Sequence, residues 1–272
     1  MANVISPPAA RPDNSFEAIA IMDAESVLRD IIAAHPAATE VFERYAIEFC
    51  CSGCDTLADA CQAVGVRTEA VLADLRQLET DVSAGQATHW ERASLRQLTG
   101  FICHHHHEYT RRAIQEIRAL APQAEAAQGR EHPELRKIAT IFGRLAAEML
   151  FHLAKEEHGL FPRIERLESV SRGQTLAIAA AALSREEATI RVMMEDHGAS
   201  GAMMKEIRDL SGDFTPPPGA DAALRRWYRE LAEFERDLHR HVHLENNILF
   251  PRALQLETDV LGRPKAMIAP LA

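Results

Sequence analysis

The chain has 272 residues, of which 47% are hydrophobic and 26% charged, with a formal net charge of −10. That length holds one large or two modest domains, and an acidic balance without a basic cluster argues against a nucleic-acid surface. No apolar run reaches the ~18 residues of a membrane-span candidate, so no membrane contact is expected.

Strand signals are sparse while Ala, Leu, Glu and Arg are abundant, so the expected class is all-α. The opening MANVISPPAARPDNS lacks a basic region followed by an apolar core. It does not read as a secretory signal, and a cytoplasmic location is expected. Residues 1–21 read as a mobile tail.

Residues 22–83 read as a small helical domain. MDAESVLRDIIAAHP offers a helix ending near a proline, and PAATEVFERYAI a second with Pro36 suited to a helix start. TLADACQAVGV and RTEAVLADLRQLETDV offer two more. Between them, EFCCSGCDTLADAC brings together Cys50, Cys51, Cys54 and Cys61. Cys51-x-x-Cys54 has redox or zinc spacing, but no second C-x-x-C completes a zinc ribbon. Three readings stay open here: reduced small hydrophobes, a thiol pair for redox exchange or metal transfer, and part of an iron–sulfur or zinc site. Residues 84–92 read as a linker.

Residues 93–258 read as a four-helix bundle, with helices expected over 93–121, 133–167, 175–211 and 220–256. APQAEAAQGREHP, ESVSRGQ and SGDFTPPPG signal the loops. The second helix carries an apolar seam at Leu135, Ile138, Phe142, Leu145 and Met149, and its next steps land on His152 and Glu156. The fourth carries Leu224, Trp227, Leu231, Phe234 and Leu238, and continues to His241 and Glu245. Steps of three and four mark one buried helix face. A buried, unpaired carboxylate is costly, so a compensating group is required.

The two His/Glu pairs are copies of one phrase. HLAKEEHGLFPR and HVHLENNILFPR align at an offset of 89 residues, His152 on His241 and Glu156 on Glu245. Two equivalent pairs on inward faces point to a metal site in the bundle core. Each half should then supply one more ligand. HEYTRRAIQEIR and HGASGAMMKEIR place His107 and His197 at an offset of 90.

In the run CHHHHEY, a seam through Cys103, His107, Thr110, Ile114 and Ile117 selects His107. His104, His105 and His106 are expected to be exposed or polar neighbours of the site. His158, His239 and His243 fall off the seam or just outside it, with the same expectation. Pro162 and Pro251 follow the ligand pairs closely and should kink or end their helices. Residues 259–272 read as a mobile or loosely docked tail.

The proposed ligand set is His107, His152, Glu156, His197, His241 and Glu245. Imidazole and carboxylate without thiolate suit iron or manganese better than structural zinc. Two glutamates from facing helices can bridge two ions. The expected cofactor is a pair of non-haem iron ions with an oxo or hydroxo bridge. The His/Glu spacing differs from the Glu-x-x-His pattern of ferritin-like sites.

The chain resembles the iron–sulfur cluster repair di-iron proteins, the RIC family, over nearly all of residues 24–256. VFERYAIEFCCSG and TLADAC resemble the family's short cysteine-pair domain. HHEYTRRAI, HLAKEEHGLFP, EDHGASG and HVHLENNILFPRAL resemble its hemerythrin-like domain. The resemblance implies the same six ligands, with both glutamates bridging, and matches Cys50 and Cys51 to the family's paired cysteines. The chain departs at Ser52, where glycine is usual, and at Cys54, where a basic residue is common.

The implied function is repair of iron–sulfur clusters damaged by nitric oxide or peroxide, through iron donation or through nitric oxide binding and reduction. Damaged iron–sulfur proteins, nitric oxide or dioxygen, and an electron donor are the implied partners. A homodimer through the N-terminal domain is an arrangement open to the chain. A carrier or sensor of oxygen or nitric oxide is the alternative. Iron storage fits less well, because inward carboxylates are scarce.

Overall fold

The computed structural model describes residues 22–50, 53–80, 90–173 and 186–261. The expected N-terminal tail, residues 262–272 of the expected C-terminal tail, most of the expected linker, and Cys51 and Ser52 lie outside the described residues, whereas residues 259–261, expected in that tail, continue the last helix. Every regular element among the described residues is helical, and the one β contact is an isolated bridge between Val27 and Thr56.

The N-terminal part holds α1 (Leu28–Ala34), α2 (Ala38–Arg44), α3 (Leu57–Val64) and α4 (Thr68–Thr80). Thr56 caps α3 by accepting from the Asp59 backbone N–H at 3.1 Å, and Gly65 ends it in the left-handed region at φ 71°. Leu28, Phe42, Leu57, Cys61, Val71 and Leu75 are fully buried at its centre.

Four long rods follow. The first runs through α5 (Leu95–Phe101), a π-helical segment (Ile102–His107) and α6 (Glu108–Gln128). The second runs through α7 (Glu134–Lys155), a π segment (Glu156–Leu160) and α8 (Phe161–Ser171). The third is α9 (Glu186–Leu210). The fourth runs through α10 (Ala222–His243), a π segment (Leu244–Leu249) and α11 (Phe250–Leu261). α6 packs on α7 and α10, α7 on α9, and α8 on α5 and α11.

Two local expectations are corrected. The first helix does not stop before APQAEAAQGREHP but continues to Gln128 with Pro122 inside it. Buried Ala121 and Ala124 anchor that extension against neighbouring helices. Pro162 and Pro251 do not end their rods either. Each follows a π segment, where one extra residue is accommodated and the ladder is already irregular, so the missing proline N–H costs less. The extra residue turns the downstream faces by about 100° relative to a plain α-helix. Leu160 and Phe161 are therefore buried side by side, as are Leu249 and Phe250.

The apolar core divides into two clusters. One joins the small domain to the lower bundle, from Leu28 and Phe49 through Ile117, Phe142, Met149, Trp227 and Val242. The other, with Leu98, Ile102, Phe161, Ile164, Met193, Leu249 and Phe250, fills the opposite end of the rods. The histidines and glutamates lie between them.

Candidate metal centre

The apolar seams deliver the polar layer. On α7 the buried positions include Leu135, Ile138, Phe142, Leu145, Met149 and His152, and Glu156 opens the π segment that follows. On α10 they run from Leu224 through Leu238 to His241, with Glu245 in the next π segment. On α9, Ile190, Met193, His197, Ser200 and Met204 repeat the step. His107 closes the π segment of the first rod. All six side chains proposed from the sequence are buried, none more than 2% exposed.

They converge as two sets of four. His107 and His241 bring their Nε2 atoms to 3.2 Å, and His152 and His197 bring theirs to 2.9 Å. Glu156 is divided between the pairs: Oε1 lies 3.2 Å from His152 Nε2, and Oε2 lies 3.4 Å from His107 Nε2. Glu245 is divided the same way, with Oε1 3.0 Å from His241 Nε2 and Oε2 3.1 Å from His197 Nε2. Each carboxylate thus turns one oxygen toward each imidazole pair.

The contact of His241 Nε2 with Glu245 Oε1 has hydrogen-bond geometry, but the other three imidazole–carboxylate contacts do not. Both oxygens of Glu156, and Oε2 of Glu245, have no partner of acceptable geometry despite neighbours within 3.4 Å. Buried carboxylate oxygens left unpaired are expensive. Lone pairs that face a common point instead of a hydrogen are what a cation needs. The donor set therefore fits two adjacent cations, each with two imidazoles and an oxygen from each glutamate.

The outer ring nitrogens are held from behind. His107 Nδ1 lies 2.8 Å from Glu157 Oε1, and Arg111 donates to the other oxygen of Glu157 at 2.8 Å. His152 Nδ1 lies 3.2 Å from Asp196 Oδ2, which also pairs with Lys155. His197 Nδ1 lies 2.9 Å from Asn246 Oδ1. An acceptor at Nδ1 fixes the tautomer that leaves the Nε2 lone pair for a metal. His241 differs, because its Nδ1 has no hydrogen-bond partner. The His106 ring stacks on it at 5.5 Å and 5°, and His106 Nδ1 lies 2.9 Å from Asp237 Oδ1.

Burial pushes the Glu245 carboxyl up, but His241 and His197 outweigh it and hold it well below the usual range. Burial and Glu245 push Glu156 up, and His152 and His107 bring it below its ordinary value. Burial pulls His152 down, yet Glu156 and Asp196 carry it up to about 9. A metal entering this site must displace imidazole protons, so its retention weakens with acid.

The other flagged residues separate clearly. His104, His105 and His158 are exposed. His106 and His243 are buried, and His239 is half-buried. His243 lies off the bundle seam but is covered by Phe49 of the small domain, whose ring sits 5.9 Å from it. Cys50 and Cys61 are buried and Cys54 is exposed. Glu157, Asp196 and Asn246 were absent from the sequence reading. A usable signal existed, since every buried ligand imidazole needs an acceptor and each of these residues flanks a ligand directly.

Imidazole pairs sharing two carboxylates at the heart of four helical rods define a cation-binding helical-bundle protein. The model of the hemerythrin HHE cation binding domain matches residues 101–253, and that of a domain of unknown function (DUF542) matches residues 24–79. Iron-sulfur cluster repair protein YtfE of Yersinia pseudotuberculosis serotype IB (strain PB1/+) is 32% identical over 222 residues, covering 82% of this chain and 93% of the relative. The YtfE protein of Yersinia pestis (strain Pestoides F) matches with the same identity and coverage. The chain belongs to the hemerythrin-like family of iron–sulfur cluster repair proteins.

Proposed function

We propose that His107, His152, Glu156, His197, His241 and Glu245 hold two non-haem iron ions with both glutamates bridging, and that the protein helps restore iron–sulfur clusters damaged by nitrosative or oxidative stress. The observation that supports this most is the division of each glutamate between the two imidazole pairs. When bound, iron supplies redox electrons and coordination positions open to a small diatomic ligand such as nitric oxide.

The chain's own residues set the conditions. Glu157, Asp196 and Asn246 hold three imidazoles in one tautomer. The two apolar clusters on either side keep bulk water from the layer. Neutral imidazoles outnumber carboxylates, so iron is held less tightly than in a carboxylate cage and can be released as cargo. Iron donation and nitric oxide reduction both follow from such a centre.

Purified protein should restore activity to a nitrosylated iron–sulfur hydratase. A variant carrying His241→Ala and Glu245→Ala should restore little. Equal recovery with the two proteins would overturn the proposal. A stable, reversible oxygen or nitric oxide adduct without repair would favour a carrier or sensor.

A further inference from the structure

The junction between the small domain and the bundle gathers a second set of metal-ligating groups. Glu48 and Cys50 come from the segment after α2, and His239 comes from α10. One ligand atom from each lies within 4.8 Å of the others. We propose that Glu48, Cys50 and His239 form a second, mononuclear site for a borderline divalent transition-metal ion such as Fe(II) or Zn(II).

The segment is fixed in place before any ion arrives. Glu48 Oε1 accepts from the Cys50 backbone N–H at 3.0 Å and from its thiol at 2.7 Å. The Cys50 carbonyl accepts from Asn246 Nδ2 at 3.2 Å and Asn247 Nδ2 at 3.3 Å. The edge of the Phe49 ring steers His239, with centroids 5.9 Å apart and planes at 73°. Gly53 comes so close that a Cβ there would fall 2.2 Å from Asn247 Oδ1.

The chemistry is that of an exchangeable site. Thiolate, imidazole and carboxylate together suit Fe(II) or Zn(II), and three protein ligands leave a fourth position open. Cys50 is buried, His239 half-buried and Glu48 exposed, so the site opens to solvent at its carboxylate. On binding, the thiol proton leaves to solvent and the thiolate becomes a ligand. Asn246 joins this site to the bundle centre, because it holds the Cys50 carbonyl and His197 Nδ1 at once. A holding position for iron near the dinuclear centre is the use this suggests. That use rests on the repair reading, whereas the site itself does not.

Titration of the full chain with Co(II) tests the site, read by equilibrium dialysis and by thiolate-to-cobalt absorption in the near ultraviolet. Wild type should bind a third equivalent that carries this absorption. Cys50→Ser should abolish it. Glu48→Gln and His239→Ala should weaken the third equivalent at least ~10-fold, since losing even an outer partner of a ligand costs ~10–100-fold. Cys54→Ser should leave it unchanged, and the first two equivalents should persist in all four variants. Wild type without a near-ultraviolet band, a band at full strength in His239→Ala, or a band lost in Cys54→Ser would overturn the proposal. Failure of the first two equivalents in wild type would instead strike the dinuclear reading.

Discussion

Asn246→Ala is the most informative single perturbation, because that one amide serves the metal centre and the domain junction together. Its Oδ1 accepts from His197 Nδ1 at 2.9 Å, and its Nδ2 donates to the Cys50 carbonyl at 3.2 Å. Asn246 is 8% exposed and His197 2%, so water cannot readily replace the lost partner. Leaving a buried donor unsatisfied costs about 1–3 kcal/mol, and the second hydrogen bond adds about 1 kcal/mol. The metal-free variant should therefore unfold in urea with a stability lower by about 2–4 kcal/mol.

Loss of tautomer control at one ligand should also weaken metal binding by ~10–100-fold. Competition with a chromophoric chelator measures that directly. Asn246→Asp is the control. It keeps an acceptor for His197 but loses the donor to Cys50, so metal affinity should stay near wild type while stability falls. Unchanged metal affinity in Asn246→Ala, or equal weakening in both variants, would refute the reasoning.

Three further outcomes follow from the charges and thiols. Arg208 pairs with both oxygens of the buried Glu235, its Nε at 3.1 Å, so Arg208→Ala should cost about 3 kcal/mol in chemical denaturation, the low end for a broken buried pair because Arg208 is partly exposed. Burial raises the Glu186 carboxyl above its ordinary 4.5 against the pull of Arg163 at 2.7 Å. The folded state then holds that proton more tightly, so this stabilisation is present below pH 4.5 and lost as pH rises through the folded value. Urea midpoints should accordingly show Glu186→Gln gaining on wild type as pH rises from 4.5, and a pH-independent difference would contradict this. Burial, with Glu157 and Glu156 nearby, pushes the Cys103 thiol up to about 12, whereas Cys54 is exposed with Arg29 Nη1 3.1 Å from its sulfur. Iodoacetamide at pH 8 should alkylate Cys54 at least ~10-fold faster than Cys103, as followed by peptide mass spectrometry.

Much of this architecture was legible because a helix buries residues at a fixed period. The seams through Leu135–Met149 and Leu224–Leu238 are inward in the structure, and their continuation carries His152, Glu156, His241 and Glu245 into the same layer. The π segments were not legible, since one added residue leaves the composition unchanged and only shifts the phase. That shift turns His106 inward beside His107, where an unbroken α seam predicts His107 alone. Pro162 and Pro251 were visible as irregularities, but their effect depended on the widened turn before them. His243 was misjudged for another reason. The seam describes the bundle interior, whereas His243 is buried under Phe49 of a different domain. Partners such as Glu157 and Asp196 sit off the seam among ordinary surface charges, and their neighbours in space identify them.

The most direct test of the account is Mössbauer spectroscopy on anaerobically iron-loaded protein, combined with metal analysis. Two magnetically coupled irons per chain are expected, with the coupling altered when either Glu156 or Glu245 is replaced by alanine and two irons no longer held together when both are replaced. One iron per chain, or two uncoupled ions in the wild type, would contradict it.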